Sequence, residues 1–302
     1  MTTSPPGSPV PTTSGSLDAF FTGAAPVPPK PRRIILDLFG DYLRFCTDAE
    51  VRLGHLTTLL GAFDIAPATV RVTMSRLRRD GWFTSRRAGR ETIYRLTPAM
   101  LDVLDEGRER IFAPSVTSWS GTWTMVIYQL SEDERQLREQ LRKDLLWHGF
   151  GFLGTSTWLA PGDRRVEARR ISAELPNGQV EVLRCLTDGL EHDRALAQRC
   201  WDLPGLAAEY HAFLAKFAPL ADRVQALEGP AALVARTLLI SGYRHFPYRD
   251  PALPLELTPS PWPGMEAHRL FAHLHEALGP AARAYVSAIA EEPVQDTETV
   301  AG

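Results

Sequence analysis

The stretch APATVRVTMSRLRRDGWFTSRRAGRETIYRL, which spans residues 66–96, decides the fold of the N-terminal third of this chain. Its first half predicts a helix, because Pro67 suits a first helical turn, where a missing N–H costs nothing. Apolar residues recur there with helical spacing and predict a buried side: Val70, Met74 and Leu77. The second half alternates as two short strands around residues 87–90, in which Gly89 can supply the positive φ of a tight turn.

The same stretch is strongly basic. Between residues 71 and 95 it carries eight arginines against two acidic residues, a local net charge of +6, whereas the whole chain carries −3. A basic island in a mildly acidic chain predicts a polyanionic partner. The outward side of the predicted helix is small and basic, which is the kind of surface that the major groove of DNA can accept.

Two further helices are predicted before this stretch, at residues 32–45 and 53–63, and residues 64–66 then form a three-residue turn. Such a turn between two helices is typical of the helix-turn-helix motif. With the basic hairpin beside it, the pattern predicts a winged helix-turn-helix domain over residues 31–112. The residues expected to contact DNA are Thr69, Arg71, Val72, Ser75, Arg76, Arg79, Arg86, Arg87 and Arg90. The alternative is an amphipathic helix whose arginines face only solvent.

The whole chain is predicted to be an α+β multidomain protein. Residues 1–30 are rich in Pro, Ser, Thr and Gly and predict a disordered tail. Residues 118–190 show the order β-α-β-β-α-β, which indicates a ferredoxin-like central domain. Its first helix carries a predicted buried stripe of Leu137, Leu141, Leu145 and Leu146. Residues 191–290 predict a helical C-terminal domain, with its last two helices at 265–278 and 280–289, and residues 291–302 a second tail.

The cysteines and the apolar segments argue against a disulfide-rich, secreted or membrane-spanning protein. Cys46, Cys185 and Cys200 are scattered, which predicts neither a disulfide framework nor a CxxC metal site and fits a reducing compartment. No signal peptide is expected, because no basic residue precedes Lys30 and no apolar run lies near the start. The longest apolar helical stretch, at residues 231–240, is too short to span a bilayer. We therefore expect a cytoplasmic protein that does not enter a membrane.

Four ordered blocks of sequence carry a resemblance to a known family. They are TVRV, SRL and DGW within residues 69–82, WSGTW at 119–123, LWHGFG at 146–151, and a Tyr-Arg to Trp-Pro-Gly block at 243–264. Together they make the chain, over about residues 32–288, resemble the PaaX family of transcriptional repressors of bacterial phenylacetate degradation. The resemblance implies a homodimer that binds double-stranded operator DNA and is released by an aryl-acyl-CoA effector such as phenylacetyl-CoA. It also implies winged-helix, ferredoxin-like and helical domains.

Within the last block, the candidate ligand-binding residues are Tyr243, Arg244, His245 and Arg249. Arginine suits the phosphates of coenzyme A because it presents paired donors, and the aromatic residues of the block can flank an acyl ring. The alternative is a contact between domains in which Arg249 pairs with Asp250 or another acid.

No catalytic residue, metal site or cofactor is predicted. The central domain resembles a small CRISPR-associated nuclease in fold, but its first strand ends near Gln129, a poor anchor for Mg²⁺ where such nucleases place an aspartate. The spacing of His268, His273 and His275 does not bring three ligands to one helix face. Two rivals to the repressor are an acyl-CoA-handling enzyme and a winged-helix protein-interaction module.

Overall fold

The computed structural model describes residues 30–46, 49–112, 118–173, 175 and 179–294, and the two predicted tails lie almost wholly outside these ranges. Within them the chain is a mixed α+β protein with one three-stranded and one four-stranded antiparallel sheet. It divides into two compact units. The first unit consists of the described residues up to Glu109, Leu214–Tyr243 and those from His268 onward, and the second unit of Arg110–Phe213 and Arg244–Ala267.

The N-terminal elements follow the predicted order of helices and hairpin. They are α1 (Pro31–Asp41), β1 (Glu50–Arg52), α2 (Leu53–Gly61), α3 (Pro67–Arg79), β2 (Phe83–Ala88), β3 (Glu91–Leu96) and α4 (Pro98–Phe112). The predicted helix at Pro67 and the two strands after it are confirmed, and β2 runs two residues further than expected, which shortens the tip. Strand β1 was not predicted, because three residues are too few for an alternating pattern to stand out. It pairs with β3 and gives the sheet order β1-β3-β2.

The central elements follow the predicted order β-α-β-β-α-β. They are β4 (Trp123–Tyr128), α5 (Arg135–Trp147), β5 (Gly151–Gly154), β6 (Thr157–Pro161), α6 (Arg165–Ile171) and β7 (Val180–Cys185). The sheet has the order β5-β6-β4-β7 and is antiparallel throughout. Both of its faces are covered, since Val126 of β4 belongs to one buried cluster and Trp123 of the same strand to another.

The remaining helices are α7 (Leu190–Cys200), α8 (Leu203–Phe217), α9 (Gly229–Tyr243) and α10 (Gly264–Ala290). The prediction of two separate helices at the end of the chain was wrong, because α10 continues through Pro280. A proline inside a helix costs about 3 kcal/mol or more. Phe271 and Leu274 before it and Ala282 and Val286 after it are all completely buried, so packing on both sides keeps the helix continuous.

The predicted leucine stripe of α5 is correct except at its end. Leu141 and Leu145 are buried and Leu137 is partly buried, but Leu146 is 55% exposed. Leu146 directly follows Leu145 in the last turn of α5, and the 100° step between neighbouring helical residues turns it away from the core. Among the described residues, no helix is both long enough and apolar enough to cross a membrane.

A buried ionic cluster joins three helices of the first unit. Arg236 of α9 is 1% exposed, and its Nη2 lies 3.2 Å from Asp41 Oδ1 on α1 and 2.7 Å from His275 Nε2 on α10. The same nitrogen of His275 lies 3.0 Å from Asp41 Oδ1. Burial alone would raise the pKa of Asp41, but Arg236 and His275 outweigh burial and hold that pKa at about 2. The cluster therefore keeps a charged carboxylate inside the first unit.

Candidate nucleic-acid interface and ligand cavity

Helix α3 is held in place by its apolar side. Val70, Met74 and Leu77 are completely or almost completely buried, as the sequence predicts. Ile65 holds the turn between α2 and α3 in place. It is buried, and its N–H donates to the carbonyl of Leu60 at 3.2 Å. With one side fixed in the core, the opposite side of α3 must face solvent.

The outward side of α3 presents the predicted DNA-contacting residues together. Thr69, Arg71, Val72, Arg76 and Arg79 are all exposed, and Ser75 beside them is partly buried. Val72 is 52% exposed, so its methyl groups can contact a thymine methyl group. The side chains of Arg71, Arg76 and Arg79 have no hydrogen-bond or ion-pair partner among the described residues, so their charges are available to an external anion.

The hairpin carries two more arginines to its tip. Ala88 pairs with Glu91, so only Gly89 and Arg90 connect the two strands, and Gly89 has the predicted positive φ of +62°. Arg87 and Arg90 flank this tip and are exposed. Neither has a hydrogen-bond or ion-pair partner within the described part of the chain. Their guanidinium groups can bind phosphate or enter a minor groove.

Arg86 differs from the other arginines of the hairpin. It donates from Nε to Glu50 Oε1 at 3.1 Å and from Nη2 to Glu50 Oε2 at 2.5 Å, so it holds β1 against β2 and β3 through a two-pronged ion pair. These hydrogen bonds from Arg86 lower the pKa of Glu50. Sequence reasoning missed this pairing because it did not predict β1. The role of Arg86 in binding DNA stays a prediction, and its charge is already balanced in this structure.

The predicted ligand-binding stretch at residues 243–249 divides between the two units. Tyr243 is buried in the first unit, where its hydroxyl lies 3.0 Å from His268 Nδ1 and its ring stacks on Phe271. Arg244, His245 and Arg249 belong to the second unit. The roles of all four residues in ligand binding stay predictions.

An acid of α8 pairs with two of these three residues. His245 Nε2 lies 3.3 Å from Glu209 Oε2, and Arg249 donates to both oxygens of the same carboxylate. The hydrogen bonds from Arg249 lower the pKa of Glu209. Arg249 therefore pairs with an acid, Glu209, but both residues belong to the second unit, so this pair is not the contact between domains that the alternative expected. Arg244 is half-buried.

The second unit contains a cavity of about 760 Å³ that brings two of the resemblance blocks together. Residues 146–150 line one side of it and residues 247–252 the other. Arg249 lines the cavity, whereas Arg244 and His245 are not among its lining residues. Its volume lies within the range of about 300–1,000 Å³ that is usual for sites of small molecules and cofactors.

One wall of the cavity is aromatic. The rings of Trp147 and Tyr248 have centroids 5.0 Å apart and are tilted by 38°. The Arg110 guanidinium lies 4.1 Å from the centroid of the Trp147 ring, and Arg110 Nη1 donates to the Trp147 carbonyl at 2.9 Å. Gly149, at φ +74°, follows the end of α5 and turns the chain into β5, and Trp147, the last residue of α5, lines the cavity.

The cavity is lined by more cations than anions. Its basic residues are Arg110, Lys143, Arg164 and Arg249, besides His148, and its acidic residues are Glu167 and Asp250. Lys143 is exposed, and no hydrogen-bond or ion-pair partner occurs for it among the described residues.

The two carboxylates of the cavity are already engaged. Glu167 accepts hydrogen bonds from Arg164 Nε at 2.6 Å and lies 2.7 Å from His148 Nδ1. Asp250 accepts from the Tyr210 hydroxyl at 2.7 Å, and burial raises its pKa. An anionic ligand would therefore meet a positive lining rather than uncompensated acids. Sequence reasoning missed Arg110, Lys143 and Arg164, because they lie on α4, on α5 and directly before α6, and only folding brings them together.

Comparisons with known proteins match the chain in three successive segments, which do not coincide with the two compact units. Three family models match successive segments: "PaaX-like protein" at residues 30–100, "PaaX protein central Cas2-like domain" at 116–197 and "PaaX-like protein C-terminal domain" at 201–288. The transcriptional repressor PaaX of Escherichia coli (strain K12) is 29% identical over 290 residues, which cover 92% of this chain and 90% of that protein. A solved structure of an uncharacterised Mycobacterium tuberculosis protein matches with a TM-score of 0.55 and 24% identity, over 83% of this chain and 96% of the other, and shows a shared fold.

Proposed function

This chain belongs to the PaaX family, and from that premise we propose that it is a transcriptional repressor that binds double-stranded operator DNA. In this proposal helices α1 to α3 and the β2–β3 hairpin form a winged helix-turn-helix domain, and β4 to β7 with α5 and α6 form a ferredoxin-like domain. The protein acts in the cytoplasm as a homodimer, and the two recognition helices of the dimer read half-sites of one operator.

One observation carries the DNA-binding part of the proposal. Five exposed arginines on α3 and on the hairpin tip have no partner among the described residues, although the chain as a whole is acidic: Arg71, Arg76, Arg79, Arg87 and Arg90. An exposed guanidinium that is not balanced by a carboxylate gains most from phosphate, which releases counterions from DNA. The same face offers Val72 and Ser75 for contacts with base edges.

The effector in this proposal is an aryl-acyl-CoA such as phenylacetyl-CoA, which binds the second unit and weakens operator binding. Support comes from the family and from a cavity that combines cations with an aromatic wall. A thioester can change the affinity for DNA only if it binds the released state more tightly than the bound state. Free phenylacetate, which lacks the phosphates, is expected to have little effect.

The test is a titration of labelled duplex DNA from the region upstream of the gene against a scrambled duplex of the same composition. Arg71→Ala should cost roughly 1–3 kcal/mol on the operator and much less on the scrambled duplex, if Arg71 makes a two-pronged contact with a guanine. Arg135→Ala, which removes an exposed arginine from α5, is the matched control and should change neither affinity. Equal losses on both duplexes would show that Arg71 contacts only phosphate. Binding without salt dependence would favour the protein-interaction module instead.

A further inference from the structure

The structure assigns the effector to the cavity of the second unit, and we propose that the cavity holds an acyl-CoA through two separable parts. Lys143 anchors the phosphates, and the pair Trp147 and Tyr248 binds the aryl group of the acyl chain. This inference rests on the proposed function for the class of ligand, and it adds the site and the division of roles.

The argument for Lys143 is that its charge is not yet used. Two other cations of the cavity already face carboxylates, since Arg164 is bound to Glu167 and Arg249 to Glu209. Lys143 lines the same cavity, is exposed and has no partner among the described residues. A phosphate beside it would form a charge-assisted hydrogen bond without breaking an existing ion pair. The anionic end of a ligand is therefore expected at Lys143.

The argument for the aromatic pair is that two large rings lie side by side and remain open to solvent. Trp147 is 42% exposed and Tyr248 is 38% exposed, and Leu146 next to them is 55% exposed. Exposed apolar surface of this kind gathered at a cavity marks a binding site more often than it marks an ordinary surface. Aromatic rings prefer tilted or offset neighbours, and a phenyl group from the ligand can extend such an arrangement.

Arg110 prepares this wall. Its hydrogen bond to the Trp147 carbonyl and its position over the Trp147 ring hold the indole in one orientation before any ligand arrives. A wall that is already ordered saves the entropy of fixing it during binding. Arg110 is thus a positioning residue for the aryl group, and its guanidinium adds positive potential to the same cavity.

The experiment is isothermal titration calorimetry of the full-length protein, without DNA, against phenylacetyl-CoA, acetyl-CoA and phenylacetate. The wild type should bind phenylacetyl-CoA more tightly than acetyl-CoA, and phenylacetate least tightly. Lys143→Ala should weaken both thioesters by the same factor, about tenfold, because it removes a contact that both share. Trp147→Leu should weaken phenylacetyl-CoA by about tenfold and acetyl-CoA far less, so that the preference for the aryl group disappears.

Two further variants control for charge and for folding. Arg135→Ala removes a cation from the same helix outside the cavity and should leave both affinities unchanged. Trp147→Phe keeps an aromatic ring and should retain the preference for phenylacetyl-CoA, which a merely structural role of Trp147 would not explain. The site is wrong if Lys143→Ala behaves like Arg135→Ala, or if Trp147→Leu keeps the aryl preference. If the thioester binds as described but the protein binds no duplex DNA, the cavity assignment stands and the repressor proposal fails. If DNA binds and no thioester does, the cavity assignment fails alone.

Discussion

The two arginines at the hairpin tip should set a measurable part of the salt dependence of DNA binding. Five exposed arginines on α3 and at the hairpin tip have side chains without partners among the described residues: Arg71, Arg76, Arg79, Arg87 and Arg90. If each neutralises one phosphate, the logarithm of the affinity falls with the logarithm of the salt concentration with a slope of about −4.5 per protomer. The double variant Arg87→Ala/Arg90→Ala should then have a slope of about −2.7.

This difference is large enough to measure by fluorescence anisotropy of a labelled operator duplex. A fourfold rise in salt, from about 50 to 200 mM, should weaken binding by about 500-fold per bound protomer for the wild type and by only about 40-fold per bound protomer for the double variant. The thermal unfolding of both proteins should coincide, because the tip side chains are exposed and make no described contacts. The salt slope therefore reports contacts to DNA rather than the stability of the domain.

Two controls separate contact from general charge. Removing both Arg135 and Arg169, which are exposed arginines of the second unit, lowers the net charge equally and should leave the slope unchanged. The pair Glu50→Gln/Arg86→Gln removes a described ion pair without changing the net charge, and its slope should also stay at the wild-type value if Arg86 serves only to hold β1. A wild-type slope in the Arg87→Ala/Arg90→Ala variant would refute the reasoning, because the tip would then not touch phosphate.

Two further predictions concern the Asp41–Arg236–His275 cluster. Arg236→Met leaves the Asp41 carboxylate buried without its cation and should lower the free energy of unfolding by about 3–5 kcal/mol in urea titrations, whereas Asp41→Asn/Arg236→Met should recover most of that loss; equal losses in both variants would contradict this account. Burial lowers the pKa of His275, so the unfolded chain takes up that proton first and stability should fall as the pH drops below about 6.5. His275→Gln should reduce the fall in melting temperature between about pH 6.5 and 5.5. A pH dependence equal to that of the wild type would show that another group titrates.

Local patterns in the sequence were sufficient to predict the elements that carry the proposed DNA interface. Helix α3 could be predicted because Val70, Met74 and Leu77 share one face within 13 residues, and because Pro67 marks its first turn. The hairpin could be predicted because Gly89 permits its tight turn. These patterns depend only on residues that are close in sequence, so they can be recognised without knowledge of the tertiary structure.

The elements that sequence reasoning missed or misplaced depend on contacts between distant residues. Strand β1 exists because Glu50–Arg52 pairs with β3 about 40 residues later in the chain. The sequence of three residues does not predict such a pairing. Helix α10 passes Pro280 because buried residues on both sides of it outweigh the cost of the proline. The cavity of the second unit assembles Arg110 from α4, Lys143 from α5 and Arg164 from the residue before α6. The Tyr-Arg block indicated Arg249 and an aromatic contribution that includes Tyr248, but neither Trp147 nor the other cations.

A count of charges in the sequence also cannot say which charges are available. The eight arginines between residues 71 and 95 look equivalent in sequence, and they sum to a single basic island. In the structure these arginines differ in their partners. Arg86 is bound to Glu50, and Arg78 Nη1 lies 3.4 Å from the Ser85 hydroxyl. The side chains of Arg87 and Arg90 have no partner among the described residues. An arginine that already holds a carboxylate gains little from a phosphate, because it must give up one anion to take the other. The steepness of the salt dependence should therefore follow the number of partnerless arginines and not the net charge of the stretch.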